Sequence, residues 1–114
     1  MTSSSRDGVL LVAHGTVERL DEMPAFLQRI RHGRPASPEL VAELVRRYQA
    51  IGGSPLLEIT RRQAAALAER LGLSVLVGMR LWNPSVESAL REAAERGLAR
   101  LVVLPLAPFS VHVY

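Results

Sequence analysis

The sequence predicts an α/β protein built on an open parallel sheet that is flanked by helices. The first observation is a continuous apolar run, "GVLLVA" (residues 8–13), which is typical of a strand covered on both faces. The second is that segments with helical spacing of apolar residues follow this run and alternate with later strand-like runs at 73–79 and 100–104. The resulting order of strand, three helices, strand, helix and strand indicates right-handed crossovers between parallel strands.

The apolar spacing and the residues at helix ends predict four helices. Their predicted limits are residues 23–33, 37–53, 60–72 and 83–97. The start of the third rests on "TRRQ" from Thr60, because Thr followed three residues later by Gln has the form of a capping box. The start of the fourth rests on Asn83 and Pro84, a capping residue followed by a proline. Glycines are expected to end the helices, as at Gly33 and Gly72.

The composition suits one domain with a hydrophobic core. The chain has 114 residues, of which 48% are hydrophobic, and a formal net charge of +3. Cysteine is absent from the sequence, which excludes disulfides and cysteine-ligated metals within it. The basic residues are all arginines interleaved with acids and aromatic residues are few, so nucleic acid is not expected as a partner.

The two ends of the sequence predict a short tail, a single domain and a cytoplasmic location. Residues 1–7 are polar and are predicted to form a flexible tail, while residues 8–114 are predicted to form the domain. The apolar run after the tail is too short for a signal or a membrane span, and we expect a cytoplasmic protein. A strand of a parallel sheet needs cover on both faces. We therefore expect a partner or a continuation of the chain to cover the last strand.

Two histidines follow predicted strands, at the sheet edge where open α/β proteins bind ligands. His14 comes directly after the first strand, and His112 lies in the segment after the last. Neutral imidazole is a common ligand of divalent metals, so the two could share a metal ion. The alternative is that each histidine forms a hydrogen bond within its own loop. The sequence contains neither a G-x-G-x-x-G nor a Walker motif, and a nucleotide site is not supported.

Arginines cluster near the ends of the first two predicted helices. The cluster comprises Arg29, Arg31, His32, Arg34, Arg46 and Arg47, with Tyr48 beside it. One interpretation is a solvated basic face. The other is a clamp in which arginine forks bind the acidic groups of a flat organic ligand and Tyr48 supplies a stacking face. Just beyond, the connector "GGSP" places the hydroxyl and backbone donor of Ser54 between two helices.

The segment "RIRHGRPASPELVAELVRRYQAIGGSPLLEITRRQAAALAERL" resembles the N-terminal part of the ferrochelatases, which insert ferrous iron into a porphyrin in haem synthesis. The specific elements are I-R-x-G-R, R-Y-x-x-I-G-G and S-P-L at these spacings. "LLVAHGT" is similar to the A-Y-G-T-P or N-L-G-T-P opening of that family, and "VGMRLWNPSVESALREAAERGLARLVVLPLAPFS" extends the likeness over nearly the whole chain. The sequence departs from the family at Val17, where a proline is usual, and in shorter loops after Gly53 and Pro108.

The resemblance implies a set of ligand-binding residues. The positions that match porphyrin-contacting positions of the family are Arg31, Arg47, Tyr48, Ser54 and Tyr114. His14 stands where many members have a tyrosine that can ligate the metal of the bound metalloporphyrin, and it is the predicted axial ligand. The substrates implied are Fe²⁺ and coproporphyrin III or protoporphyrin IX, with no cofactor required. Peripheral association with a membrane stays open.

The resemblance also implies that the chain is one incomplete half of a two-half, Rossmann-like chelatase. The catalytic histidine of the family and its acidic partner lie beyond Tyr114, so we expect a porphyrin-binding half that is inactive alone and needs a C-terminal half. A second family leaves another interpretation open. Small homodimeric sirohydrochlorin cobaltochelatases have a similar G-H-G-S turn, which His14 matches, and a second metal-handling histidine close to the position of His112. A non-catalytic porphyrin-binding fragment is the remaining alternative.

Overall fold

The computed structural model describes residues 6–113, and within them it contains three strands and four helices in the predicted α/β order. The elements are β1 (Asp7–Ala13), α1 (Met23–Ile30), α2 (Pro38–Ala50), α3 (Leu56–Leu71), β2 (Ser74–Met79), α4 (Val86–Glu95) and β3 (Arg100–Pro105). Short 3₁₀ turns lie at Leu20–Glu22 and Pro108–Val113. The predicted fold class, an open parallel sheet flanked by helices, is confirmed.

The strand order in the sheet is β2-β1-β3, and both pairings are parallel. The pairing aligns Gly8 of β1 with Ser74 of β2 and with Leu101 of β3. The central position of β1 explains its continuous apolar sequence, because neighbouring strands cover its edges and helices cover its faces.

The residues of β1 alternate between two helical layers. Val9 and Leu11 pack with Ala64 of α3 on one face of the sheet. On the other face Leu10 and Val12 pack with Leu76 of β2 and with Ala89 and Ala93 of α4. Successive side chains of a strand point to opposite faces, so one run of apolar residues serves both layers.

The strand β3 carries apolar side chains that remain exposed on the part of the molecule the structure describes. Val102 is 66% exposed and Val103 is 53% exposed. These neighbours point to opposite faces of the sheet, so the exposure affects both faces. The expectation that a partner or a continuation of the chain covers this strand stays a prediction.

The predicted start of the third helix was wrong by one turn. The helix begins at Leu56, and Thr60 lies within it, 1% exposed, with its hydroxyl donating to the Leu56 carbonyl at 2.8 Å. The Oγ of Ser54 accepts the Leu56 N–H at 3.3 Å, which satisfies a backbone donor at the true start. A Thr-x-x-Gln pattern also fits a helix interior, where Thr can bond the carbonyl one turn earlier.

The caps of α4 and α1 also differ from prediction. Ser85, and not Asn83, is the N-cap of α4, since its Oγ accepts the Ser88 N–H at 3.0 Å. At the end of α1 the first left-handed residue is His32, with φ of 59°, and the Gly33 N–H closes the helix on the Gln28 carbonyl at 2.8 Å. This arrangement is a Schellman motif with histidine at the position that glycine usually occupies.

The left-handed conformation of His32 predicts that the substitution His32→Gly stabilises the fold. A side chain at positive φ costs about 1 kcal/mol, and glycine avoids this cost. We expect the free energy of unfolding, measured with urea by circular dichroism, to rise by about that amount. The matched control is Gly52→His at the equivalent position of α2, where φ is 79°; it should destabilise. A neutral or destabilising His32→Gly would contradict the prediction.

A bidentate ion pair joins the first residues of β1 and β3. Arg100 donates from Nε to Oδ1 of Asp7 at 3.0 Å and from Nη2 to Oδ2 at 2.8 Å. The hydrogen bond from Arg100 is the main cause that lowers the pKa of the Asp7 carboxyl below its ordinary value. The carboxylate is therefore the form that stabilises this end of the sheet.

The lowered pKa of Asp7 gives a pH-dependent stability. Because the pKa is lower in the folded state than in the unfolded state, the stabilisation is present above the ordinary aspartate pKa and is lost as the pH falls through the folded-state pKa. We expect wild type to be more stable than Asp7→Asn at neutral pH, with the difference shrinking in acid. Urea unfolding over a pH series measures it. Arg100→Gln should show the same trend, and a difference that does not change with pH would contradict the prediction.

Candidate functional site

A pocket of about 490 Å³ lies beyond the carboxyl end of β1, between the turn that follows this strand and helices α1 and α2. Its lining residues are His14, Gly15, Thr16, Met23, Phe26, Leu27, Ile30, Leu44, Tyr48, Ser54 and Leu56. Apolar side chains of α1 and α2 form one wall, and polar groups from the turn, from α2 and from the connector before α3 face it. The pocket thus brings together three of the predicted site residues, His14, Tyr48 and Ser54.

The turn that carries His14 is held by the segment after β2. The Arg80 N–H donates to the Ala13 carbonyl at 2.9 Å, and the Leu81 N–H donates to the His14 carbonyl at 2.8 Å. Gly15 is buried in this turn with φ of 93°. A β-carbon there would lie 2.9 Å from the Met79 Cβ, so the close approach requires glycine. The exposed His14 side chain therefore projects from a rigid backbone.

Tyr48 reaches the same turn from α2. Its hydroxyl forms a hydrogen bond of 2.6 Å with Oγ1 of Thr16. The end of α2 is fixed by its own Schellman motif, in which the Gly53 N–H donates to the Tyr48 carbonyl at 2.7 Å. Both the ring and the backbone of Tyr48 are thus held, and its half-buried face borders the pocket.

Ser54 has a structural contact in addition to its place in the pocket. Its Oγ accepts the Leu56 N–H at the start of α3. The hydroxyl keeps its own proton, which it can donate to an acceptor such as a carboxylate. The Ser54 hydroxyl therefore serves the start of α3 and still has a proton to donate.

The two predicted arginines lie outside the described pocket lining. The Nε of Arg47 donates to Oε2 of Glu43 at 2.8 Å, and Arg46 pairs with the other oxygen of this carboxylate. The hydrogen bond from Arg47 is the largest cause that lowers the pKa of the Glu43 carboxyl, and the charge of the neighbouring Arg46 lowers it further. Arg31 is the C-cap of α1, and among the described residues its buried Nε has no hydrogen-bond partner.

The remaining predicted residues follow β3. His112 is exposed in the 3₁₀ turn Pro108–Val113, and Tyr114 lies outside the described residues. Within residues 6–113 no three side chains of histidine, aspartate or glutamate form a group that could hold a metal ion. The shared-metal hypothesis for His14 and His112 therefore stays a prediction.

The sequence did not reveal that residues of α1 line the pocket, nor that Trp82 packs against α1. Met23, Phe26 and Leu27 contributed only to the apolar spacing that predicted α1, yet they also line the pocket. Arg29 was assigned to the basic cluster, but its guanidinium lies 4.4 Å from the centroid of the Trp82 ring. The signal in the sequence for this contact was that the one tryptophan of the chain follows shortly after the predicted strand 73–79.

Fold and pocket define the class of protein: a parallel α/β domain with a pocket beyond the carboxyl end of its central strand, where proteins of this class bind ligands. No helix in the described part of the chain is both long and apolar enough to cross a membrane. The family model for ferrochelatase matches residues 6–112. The chain therefore belongs to the ferrochelatase family.

Curated relatives agree with this assignment. The ferrochelatase of Acidobacterium capsulatum is 42% identical over 103 residues, which cover 90% of this chain and 32% of that protein. The ferrochelatase of Deinococcus radiodurans is 40% identical, covering 95% of this chain and 36% of that protein. The coproporphyrin III ferrochelatase of Anoxybacillus flavithermus is 40% identical, with coverage of 94% and 38%. The chain thus spans about a third of the length of these relatives.

Proposed function

We propose that this chain is the porphyrin-binding half of a ferrochelatase-type enzyme that inserts Fe²⁺ into a porphyrin in haem biosynthesis. The observation that carries the proposal is the pocket at the end of β1, in which His14, Tyr48 and Ser54 meet an apolar wall. A flat aromatic macrocycle with carboxylates at its periphery fits such a site, because an apolar face suits the ring and a few polar groups orient it. The name of one relative, coproporphyrin III ferrochelatase, supports coproporphyrin III as the first ligand to test.

Each pocket residue has a proposed role. The Tyr48 ring packs on the macrocycle, with its hydroxyl oriented by Thr16. Ser54 donates its proton to a propionate carboxylate. His14 lies over the ring centre as an axial ligand of the iron after insertion. For Tyr114, which lies outside the described residues, the resemblance alone implies a contact with the porphyrin.

Arg31 and Arg47 are the proposed partners of the propionates. Arginine forks bind carboxylates in a bidentate manner, which fixes orientation as well as adding binding energy. To bind a propionate, the exposed Arg47 must release Glu43. Because both partners are carboxylates, one arginine–carboxylate ion pair replaces another. For Arg31, the buried Nε without a partner among the described residues supports a role toward an incoming acceptor.

Metal insertion requires more than binding. The porphyrin gives up two pyrrole protons as Fe²⁺ enters, and the ring must be distorted so that its nitrogens face the metal. Binding energy from the remote propionates can offset that distortion. The groups that take the protons are expected in a further part of a longer protein, which would also cover β3. Iron is a substrate here, and no cofactor is required; the cytoplasmic location stays a prediction.

Titration of the chain with coproporphyrin III tests the proposal. We expect a shifted Soret band that saturates at micromolar ligand. Anaerobic addition of Fe²⁺ to the bound porphyrin should give no metalation above the rate without protein, since the proposed proton acceptors are elsewhere. An unchanged Soret band at micromolar ligand would refute porphyrin binding, and rapid metalation would refute the inactivity of the chain.

The second candidate is a homodimeric chelatase like the small sirohydrochlorin cobaltochelatases. The observation in its favour is that a histidine, and not a tyrosine, stands at position 14 and borders the pocket. Size-exclusion chromatography combined with a Co²⁺ insertion assay on sirohydrochlorin separates the candidates. A defined dimer that inserts cobalt would favour this alternative over a porphyrin-binding half.

The proposed ligand role of His14 predicts a spectral change in His14→Ala. With ferric haem bound, loss of the imidazole removes an axial ligand and alters the Soret and visible bands. The matched control is His32→Ala, because His32 is exposed at the end of α1, outside the described pocket lining. A His14→Ala spectrum that matches wild type would remove the axial role.

A further inference from the structure

Trp82 is 7% exposed and lies outside the described pocket lining, where its backbone packs on the turn after β1 and its ring packs on the pocket-lining Phe26. We infer that Trp82 is a positioning residue, which fixes the His14 turn and the Phe26 wall in the geometry that a ligand meets. The identity of that ligand rests on the proposed function. The inferred effect on the turn does not.

The first contact is with the turn. A β-carbon on Gly15 would lie 3.0 Å from the Trp82 backbone nitrogen and 3.4 Å from the Trp82 Cβ. The backbone of Trp82 therefore packs directly on the residue that follows His14. The preceding residue, Leu81, donates its N–H to the His14 carbonyl at 2.8 Å. Movement of Trp82 would be transmitted to both peptide groups of the turn.

The second contact is with the wall of the pocket. The rings of Phe26 and Trp82 meet edge to face, with centroids 5.6 Å apart and an interplanar angle of 87°. Phe26 lines the pocket, whereas Trp82 is outside the described lining. Aromatic pairs prefer this geometry, so the indole restricts the orientation of the Phe26 ring.

The third contact holds the indole itself. The guanidinium carbon of Arg29, one turn after Phe26 on α1, lies 4.4 Å from the Trp82 ring centroid. This is a cation–π contact. Phe26 and Arg29 together tie α1 to the segment after β2 through one side chain. Trp82 thus contacts the His14 turn through its backbone and α1 through its indole, and so links the two segments that border the pocket at His14 and Phe26.

Amide hydrogen exchange tests the effect on the turn without any ligand. In Trp82→Leu we expect the Arg80 and Leu81 amides, which donate to the turn, to lose at least about tenfold in protection. Amides within β1 should keep theirs. The matched control is Leu76→Ala, a buried residue on the α4 face of the sheet. Unchanged Arg80 and Leu81 protection in Trp82→Leu, or the same selective loss in Leu76→Ala, would overturn the inference.

Binding of coproporphyrin III tests the effect on the site. Trp82→Leu should raise the Kd about tenfold or more, and Trp82→Phe, which keeps an aromatic edge, should restore part of the affinity. Leu76→Ala, where folded, should bind like wild type. If Trp82→Leu fails to fold, Trp82→Phe replaces it, and its amide exchange and its Kd are compared with those of Leu76→Ala.

The outcomes separate the two ideas. If wild type does not bind coproporphyrin III but the exchange result holds, the proposed function fails and the positioning of the turn stands. If wild type binds and Trp82→Leu binds equally well, the inferred role toward the ligand is overturned. A weaker Kd together with the selective loss of Arg80 and Leu81 protection supports the inference.

Discussion

Gly15→Ala is expected to destabilise the domain by about 2–4 kcal/mol, because it combines a strained backbone with a steric clash. The φ of 93° is unfavourable for any residue with a β-carbon. The new methyl group would also lie 2.9 Å from the Met79 Cβ and 3.0 Å from the Trp82 backbone nitrogen. Backbone atoms cannot move aside as a flexible side chain can. Urea unfolding followed by circular dichroism measures the loss.

A matched glycine separates the two causes. Gly33 has almost the same φ, 90°, and a β-carbon there meets nothing within 4 Å among the described residues. Gly33→Ala should therefore show only the cost of the backbone conformation, about 1 kcal/mol. Equal losses in the two variants would mean that the tight packing around Gly15 contributes nothing, contrary to the prediction.

Leu44→Trp is expected to weaken coproporphyrin III binding at least about tenfold, because a larger ring occupies the space proposed for the macrocycle. Leu44 lies in the middle of α2, is half-buried and lines the pocket. An indole there can point into the open pocket instead of into a packed core, so the fold should tolerate it. Soret titration measures the Kd, and thermal unfolding shows whether the variant is folded.

The control for this variant is Leu67→Trp. Leu67 is also a half-buried leucine in a helix, but it packs on the α3 face of the sheet. The same substitution there should leave the Kd within about twofold of wild type. If both variants bind normally, the pocket is not the porphyrin site. If both lose affinity, the effect comes from general disturbance of the fold.

Much of the fold could be predicted because its signals are local. The apolar run of β1, its helical neighbours and the later strands followed from the period of the apolar residues. The start of α3 was missed because Thr60 and Gln63 offer a plausible cap, whereas the helix starts after Pro55, where the Ser54 Oγ accepts the Leu56 N–H. His32 was missed as a left-handed residue because its φ is set by the Schellman hydrogen bonds and not by residue type.

The site was predicted less completely, since its contacts join distant segments. The rule that ligands bind at strand ends pointed to His14, and the basic cluster and the connector after α2 pointed to Tyr48 and Ser54. The resemblance implied the same residues. The hydrogen bond between Thr16 and Tyr48 spans 32 positions, so no spacing rule could reveal it. In contrast, the ion pair of Arg47 with Glu43 was not predicted although the spacing allowed it, because residues four apart face each other on a helix.

The strand β3 lies at one edge of the described sheet, and its direction limits where an added strand would end. Its apolar residues Val102 and Val103 are exposed, and its partner β1 runs in the same direction. A further strand added in parallel beside β3 would end at the edge of the sheet where the pocket lies. The residues after that strand would then emerge beside the rim that His14 borders. The direction of the sheet thus determines at which end of the pocket-bearing edge any group supplied by a continuation of the chain, or by a parallel partner strand, would emerge.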